Sequence, residues 1–277
     1  MGAQESLKVD ILSVVCALLL LSYSASNGDC AVLRPNDNSD LLSLLDFKQA
    51  ITKDPTRVLS SWNRSVHFCR WKGVTCTPDT DSIPQRQRRV AALQLSAQSL
   101  EGHISPSLGN LTSLVALNLS TNSLTGQLPP LCAHLRKLQV LDLSNNLLQG
   151  IIPDGISNCS ELRKLDLYGN SLHGSVPKEI GLLSRLSVLE LSLNNFTGIV
   201  PETLGNLSSL EILHITDNLL VGSIPSQLGR LSKIMYFLLG GNRLSGRIPI
   251  SLFNHAHATT RFFCCLSLDE LTTMVDR

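Results

Sequence analysis

The stretch LDLSNNLLQGIIP, residues 141–153, decides the fold, because the chain repeats it at a constant interval. LNLSTNSLTGQLP begins at Leu117 and LDLYGNSLHGSVP begins at Leu165, each 24 residues from Leu141. Asparagine, glycine and proline keep the same register, at Asn122, Asn146, Asn170, Asn194, Asn218 and Asn242, at Gly102, Gly126, Gly150, Gly174, Gly198, Gly222 and Gly246, and at Pro129, Pro153, Pro177, Pro201, Pro225 and Pro249. A fixed period of this length is typical of a solenoid.

Each position of the repeat has a physical task. The Leu-x-Leu segment alternates between inward and outward side chains, as a short strand does, so that successive repeats stack as parallel strands. The recurrent Asn can donate and accept hydrogen bonds, Gly permits a backbone shape that a Cβ opposes, and Pro stands where no N–H is needed. The pattern L-x-x-L-x-L-x-x-N is that of leucine-rich repeats. It predicts an α/β repeat solenoid with a parallel concave sheet and about seven 24-residue repeats over residues 90–254.

Residues 1–26 have the character of a signal peptide. The apolar run ILSVVCALLLL (11–21) is followed by small residues, and the run is too short to span a bilayer. Secretion is therefore predicted. Six N-x-S/T sequons agree with that route and predict N-glycosylation at Asn63, Asn110, Asn118, Asn158, Asn195 and Asn206.

The formal net charge of +1 argues against a general attraction to nucleic acid or to an anionic membrane. The basic cluster RQRR at 86–89 is interpreted as a solvated loop, with a docking patch as the alternative.

The cysteines fall into two groups. Cys69 and Cys76 bracket RWKGVT just before the repeats, and in a secreted chain this spacing predicts a short disulfide loop. A zinc site that adds His67 is the alternative. Cys132 and Cys159 stand where sister repeats carry aliphatic residues, so we expect reduced core cysteines there. Cys30, Cys264 and Cys265 have no evident partners.

Residues 27–89 are predicted to cap the first repeat. Apolar spacing over residues 39–61 indicates a helix, which the Asp54-Pro55 dipeptide should end. The helix, two tryptophans and the cysteine loop would cover the exposed end of the solenoid, which otherwise leaves its core facing water.

The segment LLSLLDFKQAITKDPTRVLSSWNRSVHFCRWKGVTC resembles the N-terminal cap of plant leucine-rich-repeat receptor-like kinases, in particular a large grass subfamily that includes immune receptors. The LxGxIP signature of the repeats resembles the plant-specific type. The resemblance covers roughly residues 37–254. It implies a plant-type horseshoe whose ectodomain binds a peptide or protein ligand, possibly with a co-receptor ectodomain, in defence or developmental signalling.

The sequence departs from that family plan in its later part. No apolar run of membrane-spanning length follows the repeats, and no Gly-rich loop, V-A-I-K or H-R-D motif of a kinase is present. Residues 255–277 are predicted to be an irregular tail. We interpret the sequence as a truncated or alternatively spliced ectodomain, or as an imperfect gene model. Localisation would be the apoplast, or the plasma membrane if a longer isoform carries the membrane helix.

Strand residues between the leucines should form the concave surface. One column reads Gln94, Asn118, Asp142, Asp166, Glu190, His214 and Leu238. With parallel strands about 4.8 Å apart, its carboxylates have a spacing that suits a retaining glycosidase. The surface is open and implies no pocket that could desolvate one acid, so no catalytic residue, metal or cofactor is predicted.

The same face is predicted to bind a partner. Tyr and Arg are enriched at interface hot spots, and the predicted contact residues are Arg163, Asp166, Tyr168, Glu190, His214, Asp217 and Tyr236. Asn118 lies on this face within a sequon, so a glycan there would direct binding toward repeats four to seven. Two alternatives to a receptor-like recognition module are a secreted inhibitor resembling plant polygalacturonase inhibitors, and a nonfunctional gene product.

Overall fold

The computed structural model describes residues 35–78, 88–253 and 262–264, with side chains from Ser39 to Leu252 within those ranges. The predicted signal peptide, Cys30, Cys265 and most of the predicted tail lie outside the described residues. One α-helix, α1 (Pro35–Ala50), precedes the repeats. The strands, in chain order, are β1 (Ile51–Lys53), β2 (Val74–Cys76), β3 (Val90–Gln94), β4 (Glu101–His103), β5 (Ala116–Asn118), β6 (Ser123–Gln127), β7 (Val140–Asp142), β8 (Leu147–Gly150), β9 (Lys164–Asp166), β10 (Ser171–Ser175), β11 (Val188–Glu190), β12 (Asn195–Thr197), β13 (Ile212–His214), β14 (Val221–Gly222), β15 (Tyr236–Leu238), β16 (Arg243–Leu244) and β17 (Phe262–Cys264).

The odd-numbered strands from β3 to β17, together with β2, form a nine-stranded concave sheet in the order β17-β15-β13-β11-β9-β7-β5-β3-β2. All neighbours are parallel except the antiparallel pair β2 and β3. Leu117 pairs with Leu141 and Leu141 with Leu165, so each leucine stacks on its copy in the next repeat. These leucines are 0–1 % exposed and form a continuous core, as the alternation predicts.

A ladder of asparagines runs along the interior edge of the solenoid. The Asn146 Nδ2 donates to the carbonyl oxygens of Leu119 and Leu143 at 3.0 Å and of Ser144 at 3.2 Å. Its Oδ1 accepts the N–H of Leu124 at 3.0 Å. Asn170 and Asn194 repeat this set. Each asparagine therefore satisfies backbone groups of its own turn and of the preceding repeat, which links neighbouring repeats.

The Gly-x-Ile-Pro part of each repeat builds a second, lateral sheet and a 3-10 turn. Strands β4, β6, β8, β10 and β12 are parallel neighbours, with β1 antiparallel at the edge. Gly126 and Gly174 have φ of 82° and 81°, a backbone that L side chains rarely adopt. The 3-10 turns that follow cover the convex side of the core: Pro106–Asn110, Leu131–Ala133, Asp154–Asn158, Lys178–Leu182, Glu202–Asn206, Ser226–Arg230 and Ile250–Phe253.

The cap differs from the sequence prediction in two places. The helix ends at Ala50, earlier than the Asp54-Pro55 dipeptide, because Ile51 leaves it to pair with Gly102 of the lateral sheet. Arg89 is not part of a solvated loop. Its guanidinium binds Asp40, which is 0 % exposed, at 2.6 and 2.9 Å. Asp40 Oδ2 also accepts the N–H of Val90 at 2.8 Å. The Asp40–Arg89 pair and this hydrogen bond therefore attach the cap helix to the first repeat.

Two disulfides occur among the described residues. Cys69 and Cys76 are bonded with a Cα–Cα distance of 5.5 Å, which removes the alternative of a zinc site with His67. Trp62 and Trp71 stack beside the loop at 5.3 Å between ring centroids.

The prediction of reduced core cysteines at Cys132 and Cys159 is wrong. They form the second disulfide, with a Cα–Cα distance of 5.1 Å. Their separation of 27 residues is one repeat plus three, and this offset brings the start of one convex turn against the end of the next. The sequence prediction compared each cysteine only with residues 24 positions away, and two positions 27 residues apart are in contact here.

The prediction of an irregular tail over residues 255–277 is wrong for Phe262–Cys264. Strand β17 (Phe262–Cys264) pairs in parallel with β15, with Phe263 opposite Phe237. The concave sheet therefore gains another strand, reached after 26 residues, from Tyr236 to Phe262, instead of 24. That slip, together with His255 at a leucine position, conceals the strand from a search at fixed period.

Candidate ligand-binding face

The concave sheet aligns the polar column that the repeat predicts. Parallel pairing places Gln94 beside Asn118, Asn118 beside Asp142, and Asp142 beside Asp166. It continues through Glu190 to His214 and Leu238. Five of the seven residues predicted for partner contact lie on strands β9 to β15 or at their ends, and the structure brings them to one face.

Lys164 lies between the two aspartates of the column. Its Nζ is 2.8 Å from Asp142 Oδ2 and 3.0 Å from Asp166 Oδ2. Burial lowers the pKa of Lys164, but the hydrogen bonds to Asp142 and Asp166 outweigh that effect and raise the pKa above its ordinary value of 10.5. Burial also raises the pKa of Asp166, and the hydrogen bond from Lys164 offsets that rise only in part.

Asp142 is not the exposed carboxylate that the column suggested. It is 8 % exposed, and its Oδ1 accepts the Ser144 N–H at 3.2 Å and the Ser144 hydroxyl at 2.7 Å. We therefore expect Asp142→Ala to destabilise the fold, because the change leaves a buried N–H and the half-buried Lys164 ammonium without this acceptor.

Glu190 and His214 form the second charged group of the face. His214 Nδ1 is 2.6 Å from Glu190 Oε2, and Glu190 Oε1 accepts the Ser192 N–H at 2.9 Å. Burial raises the pKa of Glu190, but the hydrogen bonds from His214 and Ser192 outweigh it, so the pKa falls below its ordinary value. His214 Nε2 is buried and has no hydrogen-bond partner among the described residues.

The remaining predicted contact residues differ in solvent exposure and in backbone conformation. Tyr236 is 41 % exposed and packs edge-on against His214 with ring centroids 6.4 Å apart. Arg163 is exposed and Tyr168 is half-buried. Asp217 is exposed too, but it has a φ of 53° and belongs to a column that is left-handed in every repeat. Asp tolerates that backbone better than most residues, so a turn requirement is sufficient to explain it.

Sequence reasoning missed the column next to the acidic one. It contains Ala92, Ala116, Val140, Lys164, Val188, Ile212 and Tyr236. Except for Lys164, it is a half-buried or exposed stripe without charge. The period-two alternation carried the signal, because these residues directly precede each core leucine of the strands. The face therefore pairs an apolar stripe with a partly neutralised acidic one.

The sequons lie mostly away from this face. Asn63, Asn110, Asn158, Asn195 and Asn206 are exposed. Asn118 is half-buried on the concave strand β5, and its Oδ1 accepts the Ser120 N–H at 3.0 Å and the Ser120 hydroxyl at 2.8 Å.

Comparisons with known proteins agree with this architecture. Residues 37–77 match the Leucine rich repeat N-terminal domain, and residues 112–172 and 184–244 match the Leucine rich repeat family. The BIR2 ectodomain from Arabidopsis thaliana is 32% identical, with a TM-score of 0.54, and the match covers 75% of this chain and 94% of that one. The chain belongs to the family of plant leucine-rich-repeat ectodomains.

Two further relatives of this leucine-rich-repeat chain are receptor kinases of Arabidopsis thaliana. The LRR receptor-like serine/threonine-protein kinase EFR is 43% identical over 85 residues, which are 30% of this chain and 8% of EFR. The ectodomain of the receptor kinase HAESA, solved with an IDA peptide hormone ligand, is 29% identical, with a TM-score of 0.63, over 84% of this chain and 42% of that one.

The leucine-rich-repeat chain matches only a small part of its curated relatives, 7%, 8% and 10% of the length of the first three. Within residues 35–78 and 88–253, none of its helices has both the length and the apolar character needed to cross a membrane.

Proposed function

We propose that the chain is an extracellular recognition module whose concave face binds a peptide or protein ligand and does not catalyse a reaction. The observation that carries the proposal is the apolar stripe of Val188, Ile212 and Tyr236 beside the Glu190–His214 pair. An extended chain segment that lies across parallel strands can bury apolar side chains on the stripe and place a cationic or hydrogen-bonding group at Glu190.

The proposed contact residues are Arg163, Asp166, Tyr168, Glu190, His214, Asp217 and Tyr236. Tyr236 is the strongest candidate anchor, because it is 41 % exposed and its ring packs edge-on against His214. N-glycosylation of Asn118 would occupy the concave face near β5, and this favours binding at repeats four to seven. A co-receptor ectodomain is a further proposed partner, since a peptide on an open face leaves one side free to contact it.

The absence of catalysis is proposed on electrostatic grounds. A glycosidase-type pair needs one acid to be protonated and the other to be ionised near a scissile bond. Here Lys164 contacts both Asp142 and Asp166, and Glu190 is held ionised by His214 and Ser192. Neither pair provides a free proton donor beside a free nucleophile. The regular spacing of the carboxylates is a product of the repeat.

The experiment is selection of peptides from a random display library against the secreted chain, followed by affinity measurement on variants. Tyr236→Ala and Glu190→Gln should weaken the selected peptides about tenfold or more each, as expected for interface hot spots. His173→Ala, an exposed change on the lateral strand β10, is the matched control and should leave affinity unchanged.

Selected peptides that bind the Tyr236→Ala and Glu190→Gln variants as tightly as the unchanged chain would contradict the proposed face. Peptides that lose affinity with His173→Ala instead would move the binding surface to the lateral sheet. Because Tyr236 and Glu190 are surface or half-buried residues, thermal melting of each variant separates lost contacts from lost fold.

A further inference from the structure

The convex side carries an apolar cavity of about 180 Å³ that is bordered mainly by residues of the convex turns. It lies between the 3-10 turns Leu131–Ala133 and Asp154–Asn158. The walls are Leu128, Leu131, Ile156 and several prolines, and the floor reaches the core residue Leu141, which is 1 % exposed. No charged side chain lines it among the described residues.

The cavity exists because this pair of turns breaks the repeat. The turn Leu131–Ala133 is three residues long, whereas the turns of the neighbouring repeats, Pro106–Asn110 and Asp154–Asn158, are five. Leu131 is buried at a position where Ser107, Glu179, Thr203 and Gln227 stand partly exposed. Gly155 occupies that same position in the next turn and contributes no side chain, so the space beside Leu131 stays open.

The walls are held in place by covalent and steric constraints. The disulfide between Cys132 and Cys159 joins the two turns on either side of the cavity. Leu128, Leu131 and Ile156 are each at most 5 % exposed and so are fixed by core packing. A rigid, preformed apolar site loses little conformational entropy when a ligand enters.

We propose that this cavity is a binding site for a small, uncharged apolar molecule of about one aromatic ring. An enclosed apolar cavity of about 150 Å³ binds benzene in another protein. The cavity here is open to solvent on one side, but its volume is similar and its lining is mainly apolar. A charged ligand is disfavoured, because nothing in the lining compensates its desolvation. A protein side chain is a poorer occupant, since Asn158 at the rim lies in a sequon and a glycan at that position would hinder a large partner but not a single ring.

The test uses the secreted full chain and fluorobenzene, followed by fluorine NMR line broadening. We expect saturable binding with a dissociation constant of about 1 mM or lower, which is within reach of a ligand of this size. Benzoate, the charged analogue, should show no saturable binding. The variant Gly155→Leu should weaken fluorobenzene binding about tenfold or more by filling the cavity.

Gly155 is a suitable position because a Cβ there meets only the Asn158 Nδ2, at 3.6 Å, which is ordinary contact. The matched control is Glu179→Leu, which places the same side chain at the equivalent position of the next turn and should leave binding unchanged. Equal binding by Gly155→Leu and the unchanged chain, with both folded by circular dichroism, would overturn the proposal. So would an absence of saturable binding in the unchanged chain, or binding that appears only after Asn158→Gln removes the glycan site.

Discussion

The asparagine ladder and the concave acidic column follow the same 24-residue period, yet they differ in what the period preserves. Asn122, Asn146 and Asn170 are the same residue and donate the same hydrogen bonds in repeat after repeat. The concave column changes from Gln94 through Asp142 and Glu190 to Leu238. A position whose side chain completes the backbone admits one solution, whereas a position facing outward from the sheet is free to vary.

The difference also appears in how each column is neutralised. The ladder is satisfied by backbone groups that the fold itself supplies, so it needs no other side chain. The acidic column needs particular partners: Lys164 from the adjacent column, Ser144 from the next turn and His214 from the next strand. Removing residues from the two columns should therefore have distinguishable effects.

The largest loss of stability is expected for a change in the leucine core of the concave strands. Leu165 is 0 % exposed and stacks between Leu141 and Leu189. The change Leu165→Ala should lower the free energy of unfolding by about 2–5 kcal/mol, because it leaves a cavity in a packed core. Asp166→Asn, the outward neighbour, keeps the oxygen that accepts the Tyr168 N–H and should change stability by less than about 1 kcal/mol. Urea denaturation measures both, and similar losses would refute the assignment of inward and outward faces.

The next effect concerns the ladder itself. The change Asn146→Ala removes three donated hydrogen bonds and one accepted bond at a residue that is 6 % exposed. Leaving those buried backbone groups unpaired should cost about 2–3 kcal/mol. Gln149→Ala, an exposed change on strand β8, which begins directly after Asn146, is the control and should be near neutral. A loss at Asn146 no greater than at Gln149 would mean that water replaces the asparagine.

A smaller loss is expected when the cation of the concave column is removed. The change Lys164→Met keeps the apolar stem but leaves Asp142 and Asp166 facing each other, with side chains only 12% and 15% exposed. We expect a loss of about 1–2 kcal/mol at neutral pH, less than for a fully buried pair, because the lysine side chain is 35% exposed. Adding Asp166→Asn to Lys164→Met should recover part of it. Strict additivity in this double-mutant cycle would show that the two residues do not interact.

The features that the sequence predicted correctly are those that recur every 24 residues. The solenoid, the leucine core, the asparagine, glycine and proline roles and the order of the acidic column follow from spacing alone, because each repeat supplies the environment of its neighbour. The Cys132–Cys159 bond and strand β17 do not, since one depends on an offset between columns and the other on a spacing of 26 residues. The Lys164 bridge was missed for a related reason: its partners lie in a different column, and only strand pairing shows which columns touch.

The smallest effect tests whether the Glu190–His214 pair behaves as the folded environment requires. Glu190 has a pKa below its ordinary value of 4.5 in the folded chain, so the folded state binds fewer protons than the unfolded state in that range. Its contribution to stability is therefore present above pH 4.5 and is lost as the pH falls through the folded pKa.

Glu190→Gln keeps the oxygen that accepts the Ser192 N–H but cannot ionise, so it should cost no more than about 1 kcal/mol at pH 7. The difference from the unchanged chain should shrink as urea denaturation is repeated from pH 7 to pH values below the folded pKa of Glu190, where its carboxyl group is neutral. Glu202→Gln on a convex turn is the control for loss of a surface carboxylate, and we expect little change there at any pH. A difference for Glu190→Gln that stays constant or widens in acid would show that the carboxylate does not stabilise the concave column through its charge, and the column would then resemble the ladder more closely than its varied residues suggest.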